Sequence, residues 1–232
     1  MTVQEEKVTP CVVLDHIAVA APSLEQGVQW VESVLGVRPQ PGGQHPRMGT
    51  HNALLRLGPS LYLEVIAPQA GVPAPAQPRW FALDTLPSDA PPRLAMWVLR
   101  TNAIAQTIGA ASEPLGPVQA MSRGERRWQI TIPADGSIPV DGVGPAVIEW
   151  EAGLPHPAEG LSDQGLSLQR LRIAHPQPQR LAHLAQSLGL QQDSAMPVLT
   201  WEACAHQQPF LTAEIMTAQG LRVMRCAVGS GH

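Results

Sequence analysis

The chain has 232 residues, of which 44% are hydrophobic and 15% charged, and its formal net charge is −4. This length can bury one or two cores, and the lack of a basic surplus argues against nucleic acid or an anionic membrane as partners. No apolar run reaches the roughly 18 residues that span a bilayer, and residues 1–7 are polar, so we expect no signal peptide. The odd, scattered Cys11, Cys204 and Cys226 are typical of reduced thiols in a cytoplasmic protein.

The first patterned segment predicts a strand, a helix and further strands. A buried strand begins at Leu14 and carries His16, and residues 24–35 have helical spacing that ends at Gly36. Residues 39–50 are rich in proline and glycine, and for them we predict a loop with neither helix nor strand. Strands follow over 51–57 and 61–66, the second with Glu64 in its middle.

The pattern then restarts twice. Residues 68–92 form a proline-rich connector, interrupted by an apolar stretch at 79–83 that we expect to pack on the body of the protein. The second unit is predicted to contain strand 94–99, helix 102–111, strand 126–132, loop 133–145 and strand 146–151. The third is predicted to contain strand 166–173, helix 178–188 and strands 198–204, 210–216 and 221–224.

These restarts predict three copies of one supersecondary unit. Alignment on the first strands places Met96 and Arg170 where the first unit has His16, and the last strands align at Glu64, Glu149 and Glu214. The predicted organisation is a tail over 1–13, a first module over 14–68, a connector over 69–92, a second module over 93–153, a linker over 154–165 and a third, shorter module over 166–228.

Three stretches of sequence resemble the glyoxalase-like branch of the vicinal oxygen chelate superfamily. They are the Leu-Asp-His-Ile sequence at 14–17, the His-Pro-x-x-Gly-Thr-x-Asn-Ala-Leu-Leu-Arg-Leu-Gly sequence at 45–58, and the Tyr-Leu-Glu-Val-Ile-Ala-Pro sequence at 62–68. The resemblance implies an α+β fold of repeated βαβββ modules whose strongly curled mixed sheets form a cup. The third unit would be a related module.

The resemblance also implies a divalent metal ion in that cup, which would be Mn, Fe, Zn or Mg. The usual ligands are a His on the first strand and a Glu on the last strand of each paired module. These places fall on His16, Glu64 and Glu149, with the two glutamates as the candidate catalytic carboxylates. The fourth place falls on Met96, which is not a ligand for any of these ions.

Other polar and aromatic residues are candidates for contacts with a small-molecule substrate. His45 and Asn52 lie on and after the long loop, where polar side chains are well placed to meet a ligand. By period-two alternation Arg56 shares a face with Asn52, and Tyr62 shares a face with Glu64. In the second unit the candidates are Arg127, Trp150 and His156.

Each of these residues also has a plain structural interpretation. A buried His16 can simply hydrogen-bond a neighbour such as Glu64, and threonine and asparagine often satisfy their own backbone in turns. Glu64 is the more informative residue, because a carboxylate within an apolar strand needs a partner.

Three hypotheses of function follow. The first is a metal-assisted isomerase, lyase or dioxygenase acting on an oxygen-rich molecule. The second is a metal-free protein that binds and sequesters a small ligand in the same cup. The third is a structural homodimer whose cup is vestigial.

Overall fold

The computed structural model describes residues 9–192, 196–204 and 208–225. Its strands are β1 (Val13–Ala20), β2 (Gln40–His45), β3 (Thr50–Gly58), β4 (Leu61–Pro68), β5 (Arg93–Arg100), β6 (Val118–Arg123), β7 (Arg126–Thr131), β8 (Ala146–Trp150), β9 (Ser167–His175), β10 (Val198–Ala203), β11 (Phe210–Thr217) and β12 (Gly220–Arg225). Its helices are α1 (Leu24–Leu35), α2 (Ile104–Gly109), α3 (Pro139–Gly142) and α4 (Pro178–Ser187). None of these helices is long and apolar enough to cross a bilayer.

The first two modules form one eight-stranded sheet in the order β2-β3-β4-β1-β5-β8-β7-β6. Within each module the first strand pairs in parallel with the last, as β1 does with β4 and β5 with β8. The modules join where β1 runs antiparallel to β5, and Ile17 lies opposite Trp97. The α+β fold of repeated, strongly curled βαβββ modules is therefore confirmed.

Curling brings the two edge strands of this sheet together. Arg47, in the turn after β2, donates from Nη1 to the carbonyl oxygen of Ala120 at 2.6 Å and from Nη2 to Gln119 Oε1 at 2.6 Å. Farther along, an added Cβ at Gly43 would lie 2.6 Å from Cδ of Arg123. The sheet thus closes around its concave face and leaves only a small cup.

Helix α1 shows how closely the local sequence matches its structure. Ser23 caps its first turn by accepting from the backbone N–H of Gln26, and Gly36 ends the helix at a φ of 73°. The predicted helix over 24–35 is confirmed, with Val28, Val31 and Leu35 buried against the sheet.

Two strands of the cup differ from the sequence-based expectation. The predicted loop over 39–50 contains β2, an edge strand, where proline is tolerated because one side of the strand needs no backbone donor. Strand β6, at the opposite edge, was not predicted at all. Neither segment has a clear strand pattern in its own sequence. Each is held as a strand by its pairing with a neighbour, β2 with β3 and β6 with β7.

The third unit has the same chain order of elements but a different pairing. Its four strands are ordered β10-β9-β11-β12, so β9 pairs in parallel with β10, the strand directly after the helix. One continuous core joins this sheet to the eight-stranded sheet and includes Leu14, Trp97, Leu171 and Ile173. Arg170 on β9 and Glu214 on β11 form an ion pair, with Nη1 and Oε2 at 3.5 Å. Residues 226–228 of the predicted third module lie outside the described residues.

Candidate active site

The concave face of the curled sheet surrounds a partly open cavity of about 30 Å³. The first module contributes most of its polar wall, and the second module contributes a largely apolar one. Its lining residues are His16, His45, Asn52, Leu54, Tyr62, Glu64, Trp80, Phe81, Arg123, Trp128, Ile130, Ile148 and Trp150.

His16 is held by a buried carboxylate that precedes it in the chain. Asp15 Oδ1 lies 2.6 Å from His16 Nδ1, and both side chains are almost fully buried. Alternation along a strand would send adjacent residues to opposite faces, but the pairing of β1 with β5 shifts register between Leu14 and His16. Such an irregularity re-aims side chains and lets Asp15 and His16 meet.

Two further donors converge on Asp15 Oδ2. Trp150 Nε1 donates to it at 3.0 Å, and His156 Nε2 lies at 2.9 Å. Because His156 Nδ1 accepts from the backbone N–H of Ala158, its proton resides on Nε2 and is donated to Asp15. Burial alone would raise the pKa of Asp15, but the hydrogen bonds from His156 and His16 outweigh it and hold that pKa well below its usual range.

An ionised Asp15 fixes the tautomer of His16. Since the carboxylate only accepts, His16 Nδ1 carries the proton and donates it, and His16 Nε2 is turned away. That atom lies 3.7 Å from Glu64 Oε2, too far for a direct hydrogen bond. A single substrate or water atom between them can contact both.

Glu64 is oriented by a second set of contacts. Asn52 Nδ2 donates to Glu64 Oε1 at 2.5 Å, while Asn52 Oδ1 accepts from Gly43 N at 2.7 Å and from Arg123 Nη1 at 3.2 Å. With both donors on its oxygen, the amide can only present its NH2 group to Glu64. Gly42 makes this possible, because a Cβ there would lie 2.1 Å from Asn52 Oδ1.

Aromatic rings complete the walls of the cavity. Tyr62 stacks on His16 at a centroid distance of 4.5 Å, and burial raises the pKa of its phenol well above the usual value. His45 lies edge-on to Trp80 at 5.1 Å and to Trp128 at 6.0 Å. Burial lowers the pKa of His45 to about 4, so its ring is neutral at neutral pH.

The structure brings some of the predicted site residues together and separates others. His16, Glu64, His45, Asn52, Tyr62 and Trp150 all line the cavity, and His156 reaches it through Asp15. Arg56 does not line it, and its Nε donates to the carbonyl oxygen of Gly58 instead. Arg127 is exposed and lines a neighbouring hollow of about 210 Å³.

Glu149 is not brought to the cavity, contrary to the expectation that it joins His16 and Glu64. Its Oε2 accepts from the backbone N–H of Ile104 at the start of α2, at 2.7 Å. The residues on either side of it, Ile148 and Trp150, are the ones that face the cup, and alternation therefore sends Glu149 to the other face.

The donor set does not fit a divalent metal ion. Zinc takes at least three protein ligands in known sites, and magnesium or manganese takes several oxygens. Within the described ranges no group of three or more His, Cys, Asp or Glu side chains is arranged to hold an ion. Ile130 and Ile148 also line the cavity, and neither isoleucine offers a donor atom.

The sequence interpretation missed Asp15, Trp80 and Arg123. Asp15 had a detectable signal, since it is a second charged residue within a strand of buried residues. Trp80 belongs to the apolar stretch in the connector, which was expected to pack but was given no role. Arg123 had no signal, because strand β6 itself was not predicted.

Comparison with known families matches the glyoxalase-like domain over residues 14–189. The chain therefore belongs to the glyoxalase-like domain family. Comparison with curated proteins gives no match.

Comparison with solved structures gives matches of low sequence identity. A hypothetical protein from Staphylococcus aureus is 14% identical, with 93% of this chain and 85% of that chain covered and a TM-score of 0.56. Methylmalonyl-CoA epimerase from Mycobacterium tuberculosis is 15% identical, with 61% and 88% covered and a TM-score of 0.39. A 4-hydroxymandelate synthase mutant from Streptomyces coelicolor is 15% identical, with 94% and 63% covered and a TM-score of 0.41.

Proposed function

We propose that this protein is an enzyme that moves a proton on a small oxygen-rich molecule, at a carbon next to a carbonyl group, without a metal ion. The observation that carries the proposal is the approach of His16 Nε2 and Glu64 Oε2 to 3.7 Å inside the buried cup. Two groups able to give or take a proton then flank one point, which is the arrangement that general acid–base catalysis requires.

Asp15 and Asn52 support this role by fixing the two reacting groups. Asp15 keeps the proton of His16 on Nδ1 and stabilises the imidazolium that forms when Nε2 takes a proton. Asn52 holds one oxygen of Glu64 and leaves the other directed at His16. The apolar wall at Ile130 and Ile148 excludes water from the point where charge develops.

Exchange of substrate protons for solvent deuterium, followed by proton NMR, tests the proposal. The panel consists of 2-oxo acids, 2-hydroxy acids and acyl thioesters. We expect exchange on at least one class, a loss of about 100-fold or more in His16→Gln and in Glu64→Gln, and no change with a chelator. Glu149→Gln is the matched control and should exchange at the wild-type rate.

Two outcomes would contradict the proposal. Exchange that survives in both His16→Gln and Glu64→Gln would place the chemistry elsewhere. Tight binding of a panel member with no exchange at all would instead support a protein that only sequesters its ligand.

A further inference from the structure

The side chain of Trp80 lines the cup, and its indole N–H lacks a hydrogen-bond partner. Trp80 is 4% exposed and lines the cavity, and its Nε1 is the one buried side-chain nitrogen or oxygen of the described residues that has no partner. A buried donor left unsatisfied costs free energy, and tryptophan usually avoids this cost when it is buried. A ligand oxygen in the cavity would satisfy it.

The ring of Trp80 is held firmly in this position. It stacks on Phe81 at 5.5 Å and meets the edge of His45 at 5.1 Å. The next two residues, Phe81 and Ala82, both have left-handed backbones, with φ of 58° and 54°, and the N–H of Ala82 donates to the carbonyl oxygen of Gly136 at 2.8 Å. The surrounding structure therefore holds the indole beside the cavity at a cost in backbone strain.

Arg123 adds a positive charge to the same cavity. Its Nη1 donates to Asn52 Oδ1, and it takes part in none of the ion pairs among the described residues. Its charge reaches the site, because it contributes to the lowered pKa of His45. Among the described residues, Glu64 is the one carboxylate that lines the cavity, and it is turned toward His16 and held by Asn52.

We propose that Trp80 Nε1 and Arg123 form a subsite for a carboxylate or enolate oxygen of the substrate. This inference rests on the proposed function and narrows its substrate class to small anionic carbonyl compounds, such as 2-oxo or 2-hydroxy carboxylates. The cavity of about 30 Å³ admits only a few non-hydrogen atoms, so the charged, reacting end of the substrate enters it. A charge-assisted bond from Arg123 and a neutral bond from the indole would then stabilise the developing oxyanion.

Titration with oxalate tests the subsite, since oxalate is a planar mimic of an enolate next to a carboxylate. Indole N–H signals of ¹⁵N-labelled protein are followed by NMR, and the Trp80 signal is assigned by its loss in Trp80→Phe. We expect the Trp80 signal to move downfield and to saturate with oxalate, and to stay in place with the neutral analogue oxamide.

Variants then separate this subsite from general charge effects. Trp80→Phe and Arg123→Gln should each weaken oxalate binding about tenfold or more, as the loss of one hydrogen bond to a charged group does. Trp30→Phe, on α1, and Arg225→Gln, at the end of β12, are matched controls and should bind oxalate as the wild type does.

An unmoved Trp80 signal, or equal binding of oxalate by wild type and Arg123→Gln, would overturn the subsite. The dispersion of the amide spectrum shows whether each variant is folded. If Trp80→Phe does not fold, Arg123→Gln still tests the subsite. Oxalate binding needs no turnover, so it can be measured whether or not the protein catalyses exchange. The proposed subsite and the proposed proton transfer can therefore be disproved independently of each other.

Discussion

At the scale of single residues, Asp15 organises one side of the site although it does not line the cavity itself. In the part of the chain that the structure describes, four side chains approach its carboxylate, namely His16, His156, Trp150 and Arg100, the last at 3.6 Å. The carboxylate therefore decides which nitrogen of His16 carries the proton. It also ties the loop after β8 to the floor of the cup.

Replacement of Asp15 by Asn should change the tautomer of His16. An amide can donate to Nδ1, which would move the imidazole proton to Nε2 and remove the base from the cavity. We expect ¹⁵N NMR to show Nε2–H in place of Nδ1–H and deuterium exchange to fall about 100-fold or more. Retention of the Nδ1–H tautomer in Asp15→Asn would contradict this assignment.

His45 should make the stability of the protein depend on pH. The folded state lowers the pKa of His45 from 6.5 to about 4. Between pH 4 and pH 6.5 this residue is therefore protonated in the unfolded chain and neutral in the folded protein. Stability should therefore fall as the pH drops from 6.5 to 4, by about 3 kcal/mol for this residue. In urea unfolding at several pH values, the free energy of unfolding should depend less on pH in His45→Gln than in the wild type.

His51 provides the comparison for that experiment. Partial burial lowers its pKa in the same direction, and His51→Gln should flatten the profile less than His45→Gln does. Equal slopes for wild type and His45→Gln would show that His45 is not held neutral by the fold.

At the scale of elements, the edge strand β2 positions the carboxylate of Glu64 through its two glycines. Gly42 leaves space for Asn52, and the N–H of Gly43 donates to the oxygen of the same amide. The strand thus acts on Glu64 through Asn52, although neither glycine touches the carboxylate.

Gly42→Ala should disturb this arrangement. The new methyl group would lie 2.1 Å from Asn52 Oδ1 and 2.9 Å from the Asn52 carbonyl oxygen, so the side chain must move. We expect a loss of about 1–3 kcal/mol in the free energy of unfolding, typical of overpacking, and slower deuterium exchange. Gly160→Ala, where a Cβ meets nothing within 4 Å, is the control.

At the scale of the whole molecule, the two sheets share one core. Trp97 on β5 lies 5.8 Å from Trp201 on β10, and buried residues of all three units contact one another in a single cluster. The third unit therefore covers apolar surface that the first two units would otherwise expose to water.

We expect the protein to unfold in a single transition for that reason. Urea unfolding is followed by tryptophan fluorescence, in wild type and in Trp201→Phe, and by far-UV circular dichroism. The unfolding curves from these measurements should coincide. A Trp201-dependent signal that changes at a lower urea concentration would show that the third unit unfolds on its own.

The sequence by itself determined the local elements and the family resemblance. The strand at Leu14, the capped helix over 24–35 and the strand around Glu64 each carry their pattern within a few residues, where burial and capping are local properties. The convergence of His16 and Glu64 was predicted from the resemblance, and the structure brings both to one cavity.

Only the tertiary structure decided the composition of the cup. Register and curling are set by contacts between distant strands, so a one-residue shift placed Asp15 beside His16, and alternation sent Glu149 to the opposite face. Closure of the sheet brought Arg123, on the unpredicted strand β6, next to Asn52. Arg123 and Asn52 are 71 positions apart, and no local pattern in the sequence indicates such a contact.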